Sequence, residues 1–117
     1  MDQRTYWNSD AGETWAKEAG RLDAMLAPIG DAVIAALAPR SGERVLDVGC
    51  GAGFTSRAMA ALGADVLGVD VSAPLLGVAQ GAGGGPRYLL ADAGGDPLPG
   101  PFDARDFGRC WLAGREP

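Results

Sequence analysis

The chain has 117 residues, with 10 Lys and Arg against 15 Asp and Glu, no His, Gly 19 and Pro 8. Its length sets one domain at most, near the lower end of what buries a good core, and a hydrophobic fraction of 47% excludes a wholly disordered chain. A formal charge of -5 argues against a nucleic-acid surface, and the absence of His excludes His-ligated zinc, Ser-His-Asp triads and Cys-His dyads, so no metal is expected. Two cysteines, Cys50 and Cys110, are too few for a disulfide framework, which points to a reducing, cytoplasmic setting. The polar start MDQRTYWNSD is no signal peptide, and no uncharged apolar run approaches the roughly 18 residues of a membrane span.

Residues 1–11 read as a polar, extended lead-in carrying Tyr6 and Trp7. Trp15, Ala19, Leu22 and Leu26 then recur at helical spacing and predict a helix over 12–26. Pro28 is expected to break it, and a second short helix fits 30–37 with Val33, Ile34 and Leu37 inward. Val45–Val48 is a short apolar strand that meets Gly49-Cys50-Gly51-Ala52-Gly53, and this loop opens a helix over 54–62. Asp65–Asp70 reads as a second strand, Ser72 as a helix N-cap, and 73–80 as a helix that the glycine run 81–85 ends. Arg87–Asp92 reads as a third strand. Strand, helix, strand, helix, strand implies right-handed crossovers and a parallel sheet, hence an α/β, Rossmann-like half-domain behind N-terminal helices.

Past Asp92 the regularity fails. Residues 93–101 form a Gly/Pro loop, and Arg105, Asp106 and Arg109 place charges where a buried parallel strand is apolar. The division expected is therefore a helical lead-in (1–42), a three-stranded half-domain (43–103) and an irregular tail (104–117).

A glycine-rich loop between strand and helix lets backbone approach a nucleotide-like ligand closely. Dinucleotide binders use G-x-G-x-x-G, but Phe54 holds the third glycine position here, and the spacing is instead Asp47, Gly49, Gly51, Gly53. An acid at Asp47 suits a ligand amino group better than a pyrophosphate. Asp70 closes the second strand, where a carboxylate accepts from ribose hydroxyls and disfavours a 2'-phosphate. Asp92 closes the third, where one can accept from an adenine amino group. The ligand implied carries an amine, a ribose and an exocyclic amine, with no phosphate. Against this stand plainer readings: a tight strand-to-helix turn for the glycines, a solvated strand end for Asp70, and ordinary turn chemistry for Asp92. Likewise Tyr6, Trp7 and Trp15 either close over a ligand or pack between helices.

The three segments VLDVGCGAGFTSRAMA, GVDVSAPLLGVAQ and YLLADA resemble the first, second and third motifs of the class I S-adenosylmethionine-dependent methyltransferases. The N-terminal stretch is similar to the helical start of bacterial small-molecule members, so the resemblance spans roughly residues 5–103. It implies S-adenosylmethionine as cofactor and a small-molecule methyl acceptor. Gly49, Gly51 and Gly53 would pass the methionine portion, with Asp47 near its amino group. Asp70 with Val71 would take the ribose, and Asp92 with Ala93 the adenine. The family's sheet has seven strands, so the chain reads as a cofactor half cut short after the third strand, and no catalytic residue can be assigned. In the family the first strand is central, flanked by the second-third pair and by the fourth, so the resemblance implies that Val45–Val48 becomes a sheet edge here, which favours self-association through the first strand. Two other readings stay open: a remnant or subunit that needs a partner chain, and an NAD-binding oxidoreductase module.

Overall fold

A computed structural model describes residues 3–106 and 113–115, with the side chains of 3, 7, 19, 22, 23, 26, 106 and 113–115 outside that description. Trp7 and the stripe positions Leu22 and Leu26 are thus placed by backbone alone, and Cys110 lies outside the described residues.

Three helices precede the sheet: α1 (Gln3–Trp7), α2 (Asp10–Lys17) and α3 (Ala19–Leu37). The lead-in expected to be extended is therefore helical from residue 3. Ser9 caps α2 by accepting from the Ala11 amide, and the break predicted at Pro28 falls instead at Glu18, whose amide reaches back to Thr14 and Ala16. Helix α3 runs straight through Pro28. A helix-interior proline costs about 3 kcal/mol. Packing of the helix's C-terminal half offsets it, since Leu37 is 2% exposed and Ile34 packs beside it in the core.

The sheet follows as β1 (Arg44–Val48), β2 (Asp65–Asp70), β3 (Arg87–Leu90), β4 (Ala104–Asp106) and β5 (Ala113–Arg115), with α4 (Phe54–Ala61) and α5 (Ala73–Ala82) as crossovers. Its order is β3-β2-β1-β4-β5. The parallel α/β, Rossmann-like architecture is as the motif order predicts. Two details shift: α5 continues through Gly81 to Ala82, and β3 ends at Leu90, leaving Asp92 two residues beyond the strand.

The larger correction is at the C-terminal side. The segment expected to be irregular forms β4, which pairs in parallel with β1 in the register Val45–Ala104, Leu46–Arg105 and Asp47–Asp106, and β5 then adds antiparallel. Strand β1 is therefore central, and the exposed first-strand edge from which self-association was expected does not exist. A three-residue strand needs little apolar sequence. Ala104 is fully buried, at 0% exposure, and packs in the core with Val45, while Arg105 is half-buried. Its approach is fixed by a reciprocal pair in which the Arg44 amide donates to Asp103 Oδ2 and the Asp103 amide to the Arg44 carbonyl, both at 2.8 Å. The Arg44 guanidinium also lies 5.4 Å over the Phe102 ring.

The two faces of β1 are buried differently. Val45 packs with Leu37, Met59, Ala64, Val66 and Ala104 under α3 and α4. Leu46 packs with Leu67, Val69 and Phe102, joined by Ala93 and Leu98 from the loop after β3. Burial on both faces is what a parallel sheet requires and why its strands read as short apolar runs.

If β4 is docked as described, Ala104→Glu buries an unpaired carboxylate against Val45 and Met59. It is expected to cost about 3 kcal/mol or more in denaturant unfolding. An irregular, solvated residue 104 would tolerate the same change within about 0.5 kcal/mol.

Candidate functional site

The carboxyl edges of β1 and β2 carry the glycine loop and the β2–α5 turn side by side, because the two strands pair from Arg44–Asp65 through Val48–Val69. The loop's three glycines all take left-handed backbone, at φ 70 for Gly49, 55 for Gly51 and 86 for Gly53. That is the conformation which side chains disfavour and which the D-x-G-x-G-x-G spacing anticipates. Its amides are turned inward. Gly49 and Cys50 donate to the Val69 carbonyl at 2.8 and 3.1 Å, and Gly53 donates to Cys50 at 3.0 Å. Gly51 donates to Asp70 Oδ2 at 2.9 Å.

Asp70 is half-buried and joins both loops, since its Oδ1 accepts from the Ser72 amide, also at 2.9 Å. Ser72 in turn caps α5 by accepting from the Leu75 amide. Val71 is half-buried at the head of this turn. Asp92 stands apart: it is exposed and its Oδ1 accepts from the Gly94 amide in a turn of its own. Asp96 Oδ2 accepts from the Asp92 amide and from Arg4. Those two contacts, the amide first, hold the Asp96 carboxyl below the usual carboxylate range. Ala93, half-buried, packs on the Leu46–Phe102 side of the sheet.

Asp47 lies beneath the loop, fully buried, and its Oδ2 accepts from Ser56 Oγ at 2.5 Å. Because it shares the β1 face of Val45, its side chain turns toward α4. Asp47 and Asp70 thus lie at the ends of the adjacent strands β1 and β2, Asp92 falls two residues past β3 instead of closing it, and the three do not converge on one point. Asp70 grips the loop, Asp47 supports it from below, and Asp92 organises the neighbouring turn.

The sequence reading missed the residues that make this support. Gly68, opposite Asp47 in β2, leaves room that a Cβ would fill, being 2.8 Å from Tyr88 Cδ1 and 2.9 Å from both Cys50 Sγ and Ser56 Oγ. Tyr88 crosses that gap from β3, so that its hydroxyl and the Arg57 guanidinium meet the underside of Gly53. Arg57 donates to the Ala52 carbonyl at 2.7 Å. Trp15 of α2 packs on Ala52 and Leu75, one of the two roles open for it. A glycine centred in a strand, facing an acid on the neighbouring strand, was the available signal.

A sequence profile described as a methyltransferase domain matches residues 45–112. The chain belongs to this methyltransferase family. The ubiquinone biosynthesis O-methyltransferase of Methylococcus capsulatus is 42% identical over 69 residues, covering 54% of this chain and 29% of that protein. The magnesium protoporphyrin IX methyltransferase of Synechocystis, solved with bound SAM, has a TM-score of 0.69 at 27% identity, covering 90% of this chain and 61% of that one. An S-adenosylmethionine dependent methyltransferase from Mesorhizobium loti has a TM-score of 0.58 at 38% identity, over 64% of this chain and 37% of that one. The chain thus spans less than two thirds of the length of each. The class I methyltransferase resemblance read from three motifs stands, and the strands of the glycine loop are those the family profile covers. No helix among the described residues is long and apolar enough to cross a membrane.

Two outcomes follow from the support beneath the methyltransferase loop. Ser56→Ala strips a donor from the buried Asp47 carboxylate and is expected to cost about 1–3 kcal/mol in chemical denaturation. Burial pushes the Tyr88 phenol above its ordinary range, Cys50 and Asp47 adding to the shift and Arg57 opposing it. The neutral phenol is thus the folded form. Its contribution is fully present below about pH 10 and is lost as pH rises toward the raised value. Tyr88→Phe should remove that alkaline loss, seen as a flatter melting midpoint above about pH 10; an unchanged slope would show that Tyr88 is not its source.

Proposed function

We propose that this chain is the S-adenosylmethionine-binding part of a class I methyltransferase that transfers a methyl group to a small molecule. The observation that carries the reading is Asp70, half-buried at the end of β2 and bonded to both the glycine loop and the β2–α5 turn. A carboxylate has about four acceptor positions, and two are used here. The remainder suits the paired hydroxyls of a ribose. The inward-turned amides of Gly49, Cys50, Gly51 and Gly53 support an adenosyl amino acid over a dinucleotide, since a pyrophosphate loop presents its amides to the ligand.

When bound, S-adenosylmethionine supplies an electrophilic methyl group on a sulfonium centre. The chain's own residues bind and orient. Gly49, Gly51 and Gly53 let the backbone approach the methionine portion, and Asp47 acts from beneath by fixing α4 against the loop through Ser56. Asp70 and Val71 take the ribose, while Asp92 and Ala93 border the adenine. Positioning of this kind is the larger part of what an in-line displacement asks of a protein. The acidic charge of -5 supports a small-molecule acceptor, and a chain with only two cysteines, one of them the buried thiol of Cys50, supports a cytoplasmic setting.

Calorimetric titration with S-adenosylhomocysteine is expected to give one-site binding, weakened roughly tenfold or more by Asp70→Ala, with NAD giving no heat. Silence with S-adenosylhomocysteine, or tighter binding of NAD, would overturn the reading.

A further inference from the structure

Asn8 lies between α1 and α2, far in sequence from the sheet, yet its side chain is spent on the β2–α5 turn. Its Nδ2 donates to the Val71 carbonyl at 2.7 Å and to the Arg4 carbonyl at 2.7 Å. Its Oδ1 accepts from the Ala73 amide at 2.8 Å. One amide group thus closes a two-point clamp on the residues that follow Asp70, and it bonds its own helix at the same time. The clamped turn has two further ties, both to Asp70 or its neighbours: Ser72 donates to Asp70, and Ser72 caps α5. Four residues away, Arg4 reaches the other loop of the site, pairing with Asp96 at 2.8 Å, and Asp96 holds the Asp92 amide. The N-terminal segment therefore fastens both loops that flank the predicted adenosyl site. Both fastenings lie at the surface, but the Arg4–Asp96 pair is a single ion-pair contact, whereas the Asn8 side chain is bonded at both its donor and its acceptor end and is the stronger tie.

We infer that Asn8 is a positioning residue for the adenosyl end of the cofactor: it orders the Val71–Ala73 turn so that Asp70 presents its carboxylate without a ligand having to organise the turn first. This rests on the cofactor reading above. Without the clamp, a ligand would bind a turn that is still mobile and its affinity would fall by the cost of ordering it.

The test titrates S-adenosylhomocysteine into wild type, Asn8→Ala, Asp70→Ala and the double variant, alongside melting midpoints and amide hydrogen exchange without ligand. Asn8→Ala is expected to weaken binding roughly tenfold, with the melting midpoint held and protection lost at the Ala73 amide but not at the Arg57 amide in α4. In the Asp70→Ala background the same change should have little further effect, because the turn then has no carboxylate to present. Asn8→Ser keeps one short polar group and should fall between, which preserves the test if Asn8→Ala does not fold. Unchanged affinity in Asn8→Ala and Asn8→Ser while wild type binds would overturn this inference alone. So would full additivity with Asp70→Ala, or a loss matched by a general fall in melting and protection. A wild-type chain that binds no S-adenosylhomocysteine would instead overturn the cofactor reading, and this inference with it.

Discussion

The two loops at the carboxyl ends of β1 and β2 are joined by one carboxylate. Asp70 accepts from the Gly51 amide with one oxygen and from the Ser72 amide with the other, so the loop after β1 and the turn after β2 cannot move independently. Charge-assisted bonds to backbone amides are among the stronger hydrogen bonds available to a protein. They are possible here only because parallel pairing brings the two strand ends level, Val48 beside Val69. Had the register slipped by one residue, Asp70 would face the opposite side of the sheet.

Beneath that bridge the loop rests on a layer of polar and aromatic groups rather than on aliphatic core. Asp47 and Ser56 bond across the start of α4, and Gly68 cedes the volume that Tyr88, Cys50 and Ser56 occupy. Tyr88 and Arg57 reach the underside of Gly53. Such a layer is costly unless it is satisfied, and it holds one backbone geometry where a greasy contact would allow several. The left-handed backbone of Gly49, Gly51 and Gly53 is thus held from above by Asp70 and from below by this layer. A loop fixed on both sides presents a formed surface to a ligand, and little ordering cost is left to binding.

The parts legible in the sequence were those whose cause is local. Strand β1 with its glycine loop, the Ser72 cap and the alternation of strands and helices all follow from patterns within a dozen residues. The misreadings share a different cause. Pro28 breaks a helix by local rules, yet α3 passes through it because Ile34 and Leu37 are anchored in the core. Arg105 and Asp106 look too polar for a strand, yet β4 forms because Ala104 is buried against Val45 and Arg44 and Asp103 zip its approach to β1. Asp47 could be named as an acid of the loop, but whether it faced outward or toward α4 depended on Ser56 and Gly68, nine and twenty-one residues on. Asn8 left no trace in the pattern, since its partners are Val71 and Ala73.

The direction of the loop amides also separates two ways of using a glycine-rich turn. Where the ligand is a phosphate, the turn leaves its N–H groups free and lets the helix dipole add to them. Here the amides of Gly49, Cys50, Gly51 and Gly53 are all bonded within the protein, and α4 opens with Phe54 at the sequence position where a dinucleotide fold has its third glycine. Cys50 to Gly53 are buried, and the charge bonded to the loop is that of Asp70, half-buried at the end of β2. An anion approaching this edge would meet a carboxylate and amides already spent within the protein, the reverse of what a phosphate-binding turn provides.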